Sequence, residues 1–339
     1  MRYCAGAGSD LLANNSFNLV VLDEATQCTE PESLVPLMRC KPEGQVILLG
    51  DHQQLPPTVL SPLAQNELSI TIFERLIRLF REGSANVDLK NMFSTMLDIQ
   101  YRMHPIIAEW PSNIFYDGRI RTGIKLNTRF PPSGFPWPTL PNSVLENLEV
   151  TDNRLTKSAL CFVDVKSGFD ESRGKSKANE SEVHIVASIV QSLLYYDPTS
   201  EDKVSLRELG IITPYQGQVR ALETMIWEMG VKIKSHTDED LEDGTTGDGI
   251  EIKSVDGFQG REKDVIIFSA VRSNEGGNVG FLSDFRRLNV AMTRARRGFI
   301  VVGSSATLRS DPYWCSWIEY VRNLGLIYDS SQLFNSPTQ

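Results

Sequence analysis

Leu19-Val20-Val21-Leu22-Asp23-Glu24-Ala25-Thr26-Gln27 and Val46-Ile47-Leu48-Leu49-Gly50-Asp51-His52-Gln53-Gln54-Leu55-Pro56-Pro57 decide the fold class of this chain. Each opens on an apolar run too short for a membrane span and stops abruptly on acidic and amide residues. Such runs read as strands buried on both faces, the pattern of a parallel sheet. In open α/β sheets ligands bind just beyond the carboxyl ends of the strands, where these polar residues fall. A helix cap after Asp23 and a turn after Asp51 would explain either half alone. Two such strand ends, bearing a carboxylate pair and a nearby glutamine, point to a metal–phosphate site.

Between and after these runs the helix signals are local. Thr29-Glu30-Pro31-Glu32 has capping-box form, with proline inside the first turn, and predicts a helix to about Met38. Ser69 is the expected cap of a second helix that presents Ile72, Phe73, Leu76, Ile77 and Phe80 on one face. Strand–helix–strand–helix is the signature of a parallel α/β layer. Residues 82–95 carry no strong periodicity and read as a link.

The second part alternates again. Strands are expected at Met96–Ile99, Leu160–Val165, Leu209–Ile212, Ile250–Val255, Val265–Val271 and Phe299–Val302. Helices are expected from Pro105 to Phe115, from about Asn179, over Val219–Met229, and over Asp284–Arg296, with a last amphipathic one bearing Trp314, Trp317, Ile318 and Val321. Residues 131–158 hold five prolines and read as an irregular insertion or surface crossing. A charged, mobile loop is expected from Lys166 to Lys177, and an acidic solvated loop near 235–250. The fold class that follows is α/β with two parallel-sheet domains, at 1–90 and 91–330.

Composition narrows the class without naming a function. With 339 residues, 41% hydrophobic and 23% charged, the chain can bury a sizeable core. No run approaches the length of a membrane helix, and the N-terminus lacks the apolar core of a signal peptide. Five scattered cysteines and four dispersed histidines have no zinc or redox spacing, so reduced thiols and a cytoplasmic or nuclear location are expected. The net charge of −9 argues against a generally basic nucleic-acid coat. Charge is uneven, however, and Arg286–Arg297 is strongly basic.

Phosphoryl transfer from a nucleoside triphosphate needs magnesium, a positioned water and positive charge on the γ-phosphate. Asp23 can hold Mg²⁺, Glu24 can take a proton from water, and Gln54 can hydrogen-bond water and phosphate. Arg102 follows a strand end, and on the predicted helix Arg287, Val290, Ala291 and Arg294 share one side. Lys253–Asp264 leads from a strand into a loop whose Gly257 and Gly260 let backbone N–H groups approach phosphates.

These residues resemble the motifs of superfamily 1 helicases of the nonsense-decay and senataxin (Upf/Sen) branch. Asp23–Gln27 is similar to motif II, Gly50–Pro57 to motif III, Gln100–Pro105 to motif IV, Ser254–Asp264 to motif V and Arg286–Arg296 to motif VI. The resemblance covers about residues 1–325. It implies two RecA-like domains with ATP between them. It makes Asp23 the magnesium residue, Glu24 the general base, Gln54 the γ-phosphate sensor, and Arg102 and Arg294 arginine fingers. Tyr101 would lie near the adenine, Gly260 near the γ-phosphate and Glu262 near the ribose. Pro56, Thr213, Pro214, Ser254, Val255 and Asp256 would lie along single-stranded RNA or DNA. Movement 5′→3′, a monomeric motor, no membrane, and protein partners in RNA surveillance or processing are implied too.

One motif of such a motor is absent: no G-x-x-x-x-G-K-[ST] loop occurs in the chain. Two explanations stand, a partial sequence of an ATP-driven helicase whose first domain is truncated, or a nucleic-acid- or protein-binding remnant without turnover. The undecayed motifs II to VI favour the first. A third class, the motor of a helicase–nuclease, needs a nuclease outside these residues. The 339-residue chain alone is expected to hydrolyse ATP negligibly.

Overall fold

The computed structural model describes residues 15–83, 94–125, 128–146, 153–195, 202–234, 248–331 and 333. The chain divides into two compact units, Met1–Leu97 and Asp98–Gln339.

In the first unit, strands β1 (Phe17–Leu22) and β2 (Cys40–Leu48) pair in parallel, with Leu22 opposite Leu48. Helix α1 (Glu30–Leu37) connects them, and α2 (Ile72–Gly83) follows. The capping box at α1 is complete: the Thr29 hydroxyl accepts from the Glu32 amide, and the Glu32 carboxylate accepts from the Thr29 amide. The cap of α2 is Thr71, which accepts from the Glu74 amide, whereas Ser69 closes the preceding turn. The two hydroxyl residues are two apart, and periodicity alone does not separate them. The expectation of burial on both faces is also corrected. Leu22 is buried, but Val21, Val46 and Ile47 stay near half exposed among the described residues. Burial on both faces requires a covering layer on each, and Val46 and Ile47, which point to opposite faces, show that neither face is fully covered among the described residues.

Among the described residues of the second unit, six strands form one parallel sheet, in the order Ile327–Asp329, Leu160–Asp164, Ala295–Gly303, Lys263–Ser269, Leu209–Thr213, Glu251–Ser254. A short parallel pair, β3 (Ile99–Gln100) and β4 (Arg121–Thr122), flanks α3 (Pro105–Phe115). Strand β5 (Leu160–Asp164) leads through a hairpin, β6 (Glu171–Arg173) and β7 (Ser176–Ala178), into α4 (Glu180–Tyr195). Strand β8 (Leu209–Thr213), α5 (Gln216–Glu228), β9 (Glu251–Ser254) and β10 (Lys263–Ser269) follow. Then come α6 (Phe285–Met292), β11 (Ala295–Gly303), α7 (Pro312–Asn323) and β12 (Ile327–Asp329). Strand β8 is buried end to end, and β10 and β11 are buried beyond their partly exposed charged residues Lys263, Asp264, Arg296 and Arg297. Val183, Val186, Ile189, Val190 and Leu193 of α4 join one core, while Trp314 of α7 stacks on Phe268 and Trp317 meets Phe162 edge-on. The α/β class with a parallel sheet is therefore present as expected.

Three sequence expectations fail here for tertiary reasons. The proline-rich stretch is not a surface crossing: Phe135, Trp137, Leu140 and Leu155 are buried. The Trp137 ring lies over Gly298, where a Cβ would come within 2.5 Å of it, and its indole N–H donates to the Pro132 carbonyl. Prolines announce irregular backbone, and the aromatic residues among them carry the burial. The 166–177 segment contains a β-hairpin rather than an irregular loop, held where Asp170 accepts from Lys177 Nζ and the Ser273 amide. Helix α6 ends at Met292 rather than Arg296, because Ala295 already pairs with Lys263 of β10. Residues 84–93 of the expected link, 147–152 of the proline-rich stretch and 235–247 of the acidic loop lie outside the described residues.

Candidate nucleotide and nucleic-acid site

In the first unit, parallel pairing delivers Asp23–Glu24 and Asp51–Gln54 to the same edge of the sheet. Glu24 takes a left-handed φ of 51°, a conformation unusual outside glycine and enriched at functional turns. Its amide donates to Asp23 Oδ1 at 3.0 Å, and Gln27 Nε2 donates to Glu24 Oε2 at 2.8 Å. The two strand ends are tied together. The Ala25 amide donates to the Leu49 carbonyl, and the Asp51 amide to Thr26 Oγ1. Gly50 fits there because a Cβ would approach Thr26 to 3.0 Å. Asp51 organises the following turn, accepting from the Gln53 amide at 3.0 Å and from Gln54 Nε2 at 2.9 Å. Pro56 is half-buried just beyond.

This donor set fits magnesium as it occurs with nucleotides. Asp23 is exposed at a strand end. Mg²⁺ characteristically takes one or two carboxylates, completing its shell with phosphate oxygens and water. Among the described residues no group of three or more carboxylate, histidine or cysteine ligands occurs, so a metal held by protein alone is not the expected kind.

In the second unit, residues far apart in sequence converge at the amino-terminal ends of β10 and β11. Arg102 donates through Nε to Glu262 and through Nη1 to the Thr293 carbonyl at 3.0 Å. Gln100 Oε1 fixes the turn before it by accepting from the amides of Arg102 and Met103. Burial alone would raise the Glu262 carboxyl. The hydrogen bond and charge of Arg102, helped by Arg296 and Arg129, outweigh that and hold it below the ordinary carboxylate range. Arg296 donates to Asp264 at 2.8 Å and to Glu208, and the Arg297 guanidinium reaches Asp202. His104 is buried, which pushes its pKa down to about 4, and its amide donates to the Arg296 carbonyl.

Arg294 lies in the turn after α6, not on it. It is buried, with Nε donating to the Val290 carbonyl at 3.0 Å and Nη2 to Thr293 Oγ1 at 2.9 Å. The guanidinium thus adds a donor to a carbonyl of the last helical turn, one that also accepts from the Thr293 amide and hydroxyl. Tyr101 is largely exposed beside Gly123. Gly260 has φ +76°, and nothing lies within 4 Å of where a Cβ would stand, leaving its backbone open to close approach.

The opposite, carboxyl-terminal ends of the strands carry the residues expected along a single strand. Thr213 and Ser254 are register partners on β8 and β9. Pro214, Ser254 and Asp256 are accessible, whereas the side chains of Thr213 and Val255 are buried. Arg287 forms an ion pair with Asp256 at 3.0 Å and with Asp284 at 3.1 Å. Residues 255–262 run back from this end of the sheet to the arginine cluster.

Several participants carry no local sequence signal. Arg129 donates to the Tyr101 carbonyl at 3.1 Å. Glu182, fully buried, accepts from Ser269 Oγ at 2.7 Å and the Val271 amide at 2.8 Å; Asn179 and Gln218 complete the network. Gly174-Lys175-Ser176 matches the end of a phosphate loop, yet it forms the turn of the β6–β7 hairpin. Ser176 Oγ there accepts from the Gly217 amide at 2.9 Å. A phosphate loop needs a strand before it and a helix after it.

Comparison with known proteins adds an independent finding. Residues 4–62 and 68–306 each match the family described as AAA domain. The chain is 38% identical over 331 residues to "Regulator of nonsense transcripts 1" of Dictyostelium discoideum, covering 97% of this chain and 21% of that protein. It is 37% identical to "Probable helicase MAGATAMA 3" of Arabidopsis thaliana, over 97% of this chain and 36% of that protein. It is 36% identical to "ATP-dependent helicase NAM7" of Saccharomyces cerevisiae, over 97% and 29% respectively. The chain thus spans well under half the length of these relatives.

Proposed function

The chain belongs to the AAA-domain helicases of superfamily 1, Upf/Sen branch, and from that premise we propose that it forms part of an ATP-driven motor moving 5′→3′ on single-stranded RNA or DNA. The observation that carries the reading is the meeting of Arg102, Glu262 and Thr293, residues 160 and 191 positions apart, beside Arg294. A structural ion pair would need one carboxylate and one arginine. Here motifs IV, V and VI share a single cationic cluster.

In this reading the two units contribute different chemistry. Asp23 would hold Mg²⁺, and the ion would supply charge neutralisation to the transferred phosphoryl group. Glu24, fixed by its left-handed turn and by Gln27, accepts the proton of the attacking water. Gln54, held by Asp51, orients that water and reports on the γ-phosphate. Arg102 and Arg294 bring planar, permanent positive charge. Arg294 exchanges its bonds to the Val290 carbonyl and Thr293 for phosphate oxygens. Tyr101 and Glu262 take the adenine and ribose, and Gly260 lets the backbone approach the γ-phosphate. Pro56, Pro214, Ser254 and Asp256 line the strand, with Thr213 and Val255 supporting it from beneath. The 255–262 segment joins the strand-facing end of the sheet to the nucleotide-facing end, the connection a motor requires. Protein partners in RNA surveillance or processing, a monomeric state and action in the cytoplasm or nucleus belong to the same proposal. Among the described residues no helix is long and apolar enough to cross a membrane.

The test is single-stranded RNA-stimulated ATP hydrolysis in a protein that carries the phosphate loop. Glu24→Gln should lower kcat by at least about 100-fold. Arg102→Ala and Arg294→Ala should each lower it by roughly 1000-fold while leaving oligonucleotide Kd within about 3-fold. Equal losses of turnover and binding would contradict the arginine assignment. Binding with no turnover in the parent protein would favour a non-hydrolysing remnant.

A further inference from the structure

At the carboxyl-terminal end of the sheet, Phe281 is the feature that none of the motif residues explains. It sits in a 3₁₀ turn, Gly280–Ser283, just before α6, and remains 58% exposed. That exposure is not slack in the chain. The Gly280 amide donates to Asn278 Oδ1 at 2.9 Å, and Ser283 Oγ donates to the Gly280 carbonyl at 2.9 Å. Gly280 has φ +57°, and a Cβ there would meet Arg272 Nη1 at 2.5 Å and the Tyr215 hydroxyl at 2.6 Å, so the turn is pressed against a buried floor. The ring is braced by Tyr215, with centroids 5.6 Å apart, and the Arg287 guanidinium carbon lies 5.7 Å from its centroid. Arg287 is itself held by Asp256 and Asp284. Phe281 also borders a small depression shared with Pro214, Val255 and Leu288.

A phenylalanine so firmly placed and so open leaves apolar surface in water, at about 25 cal/mol per Å². Its surroundings fit a flat, aromatic, partly polar occupant: a ring more than half exposed, a guanidinium over it and a proline at the rim. Resting on the single-strand reading above, we propose that Phe281 is a stacking platform for one unpaired nucleobase of the bound strand. Base–aromatic stacking is tolerant of sequence, because every base has a π-face. Phe281 would then add grip to a strand that is otherwise held by its backbone. An apolar segment of a partner protein is the competing occupant, and the same experiment separates it.

The experiment measures fluorescence anisotropy of the 339-residue chain with a labelled 12-nucleotide oligouridylate and with an abasic ribose-phosphate oligomer of equal length. Phe281→Ala should weaken oligouridylate binding by about 10-fold or more and leave abasic binding unchanged. Phe281→Tyr and Phe281→Trp should keep wild-type affinity, whereas Phe281→Leu, which is apolar without a π-face, should behave like alanine. The salt dependence should keep its slope, since a ring releases no counterions. If wild type binds both oligomers and Phe281→Ala binds them equally well, the platform is refuted while the single-strand reading stands. A leucine variant that restores affinity would point to general apolar contact, of the kind a protein segment makes, and would overturn the stacking. Absence of any wild-type binding would remove the single-strand reading and the platform with it.

Discussion

Replacing Glu182 by glutamine isolates the energetic cost of a carboxylate placed under the strand ends of the second unit. Glu182 is fully buried, and desolvation lifts its pKa from 4.5 to about 8 against hydrogen bonds from Ser269 and the Val271 amide. In the unfolded chain the group ionises near 4.5, so between that value and about 8 the folded state binds more protons. Stability present at low pH is therefore lost as pH rises through the folded pKa. His104 acts with the opposite sign. Its pKa is about 4 when folded and 6.5 when free, so its contribution is lost as pH falls from 6.5 toward 4. Below pH 6.5 the two slopes oppose each other; above it Glu182 acts without that offset. Cys161, whose thiol burial pushes upward, adds a loss only near and above the ordinary thiol range. From pH 6.5 to 8.5 the wild-type unit should lose about 2 kcal/mol through Glu182, at 1.36 kcal/mol per pH unit while the folded group stays protonated. Glu182→Gln keeps the shape and the acceptor oxygen but cannot ionise, so its stability should be nearly flat across this window. Urea unfolding followed by tryptophan fluorescence reads the right unit, because all five tryptophans lie beyond Leu97. A wild-type curve that rises over this window, or an equal slope in both proteins, would refute the reasoning.

Two further substitutions test the packing that positions the site. Trp137→Ala removes a buried ring from over Gly298 and orphans the Pro132 carbonyl; it should destabilise the second unit by about 3–5 kcal/mol, read as a lower urea midpoint. Thr29→Ala removes half of the capping box of α1 and should cost about 1 kcal/mol, seen as faster amide hydrogen exchange in Glu30–Leu37 with the second unit unaffected.

Much of the arrangement follows from local sequence. Short apolar runs ending on Asp23 and Asp51 specify strands, because a run of that length between polar stops has few other ways to bury itself. Thr29-x-x-Glu32 specifies a helix start, because each end of the box satisfies the other's backbone. Asp23, Glu24, Gln54 and Arg102 at strand ends point to phosphoryl transfer, because carboxylates, amides and arginine are the groups it uses. The end of α6 was not legible. Arginine-rich residues 294–297 favour a helix locally, and pairing of Ala295 with Lys263 wins only once β10 is in place.

What the sequence by itself determined is the alternation of strand and helix, the ordered motifs and the chemistry available at their ends. Tertiary structure alone decided which of those residues meet. Arg102 finds Glu262 and Thr293. Trp137 becomes core against Gly298, and Phe281 is held in the open. The physical reason is range. Capping, turns and periodicity act over a few residues and are written locally, whereas burial and ion pairing depend on neighbours more than a hundred positions away.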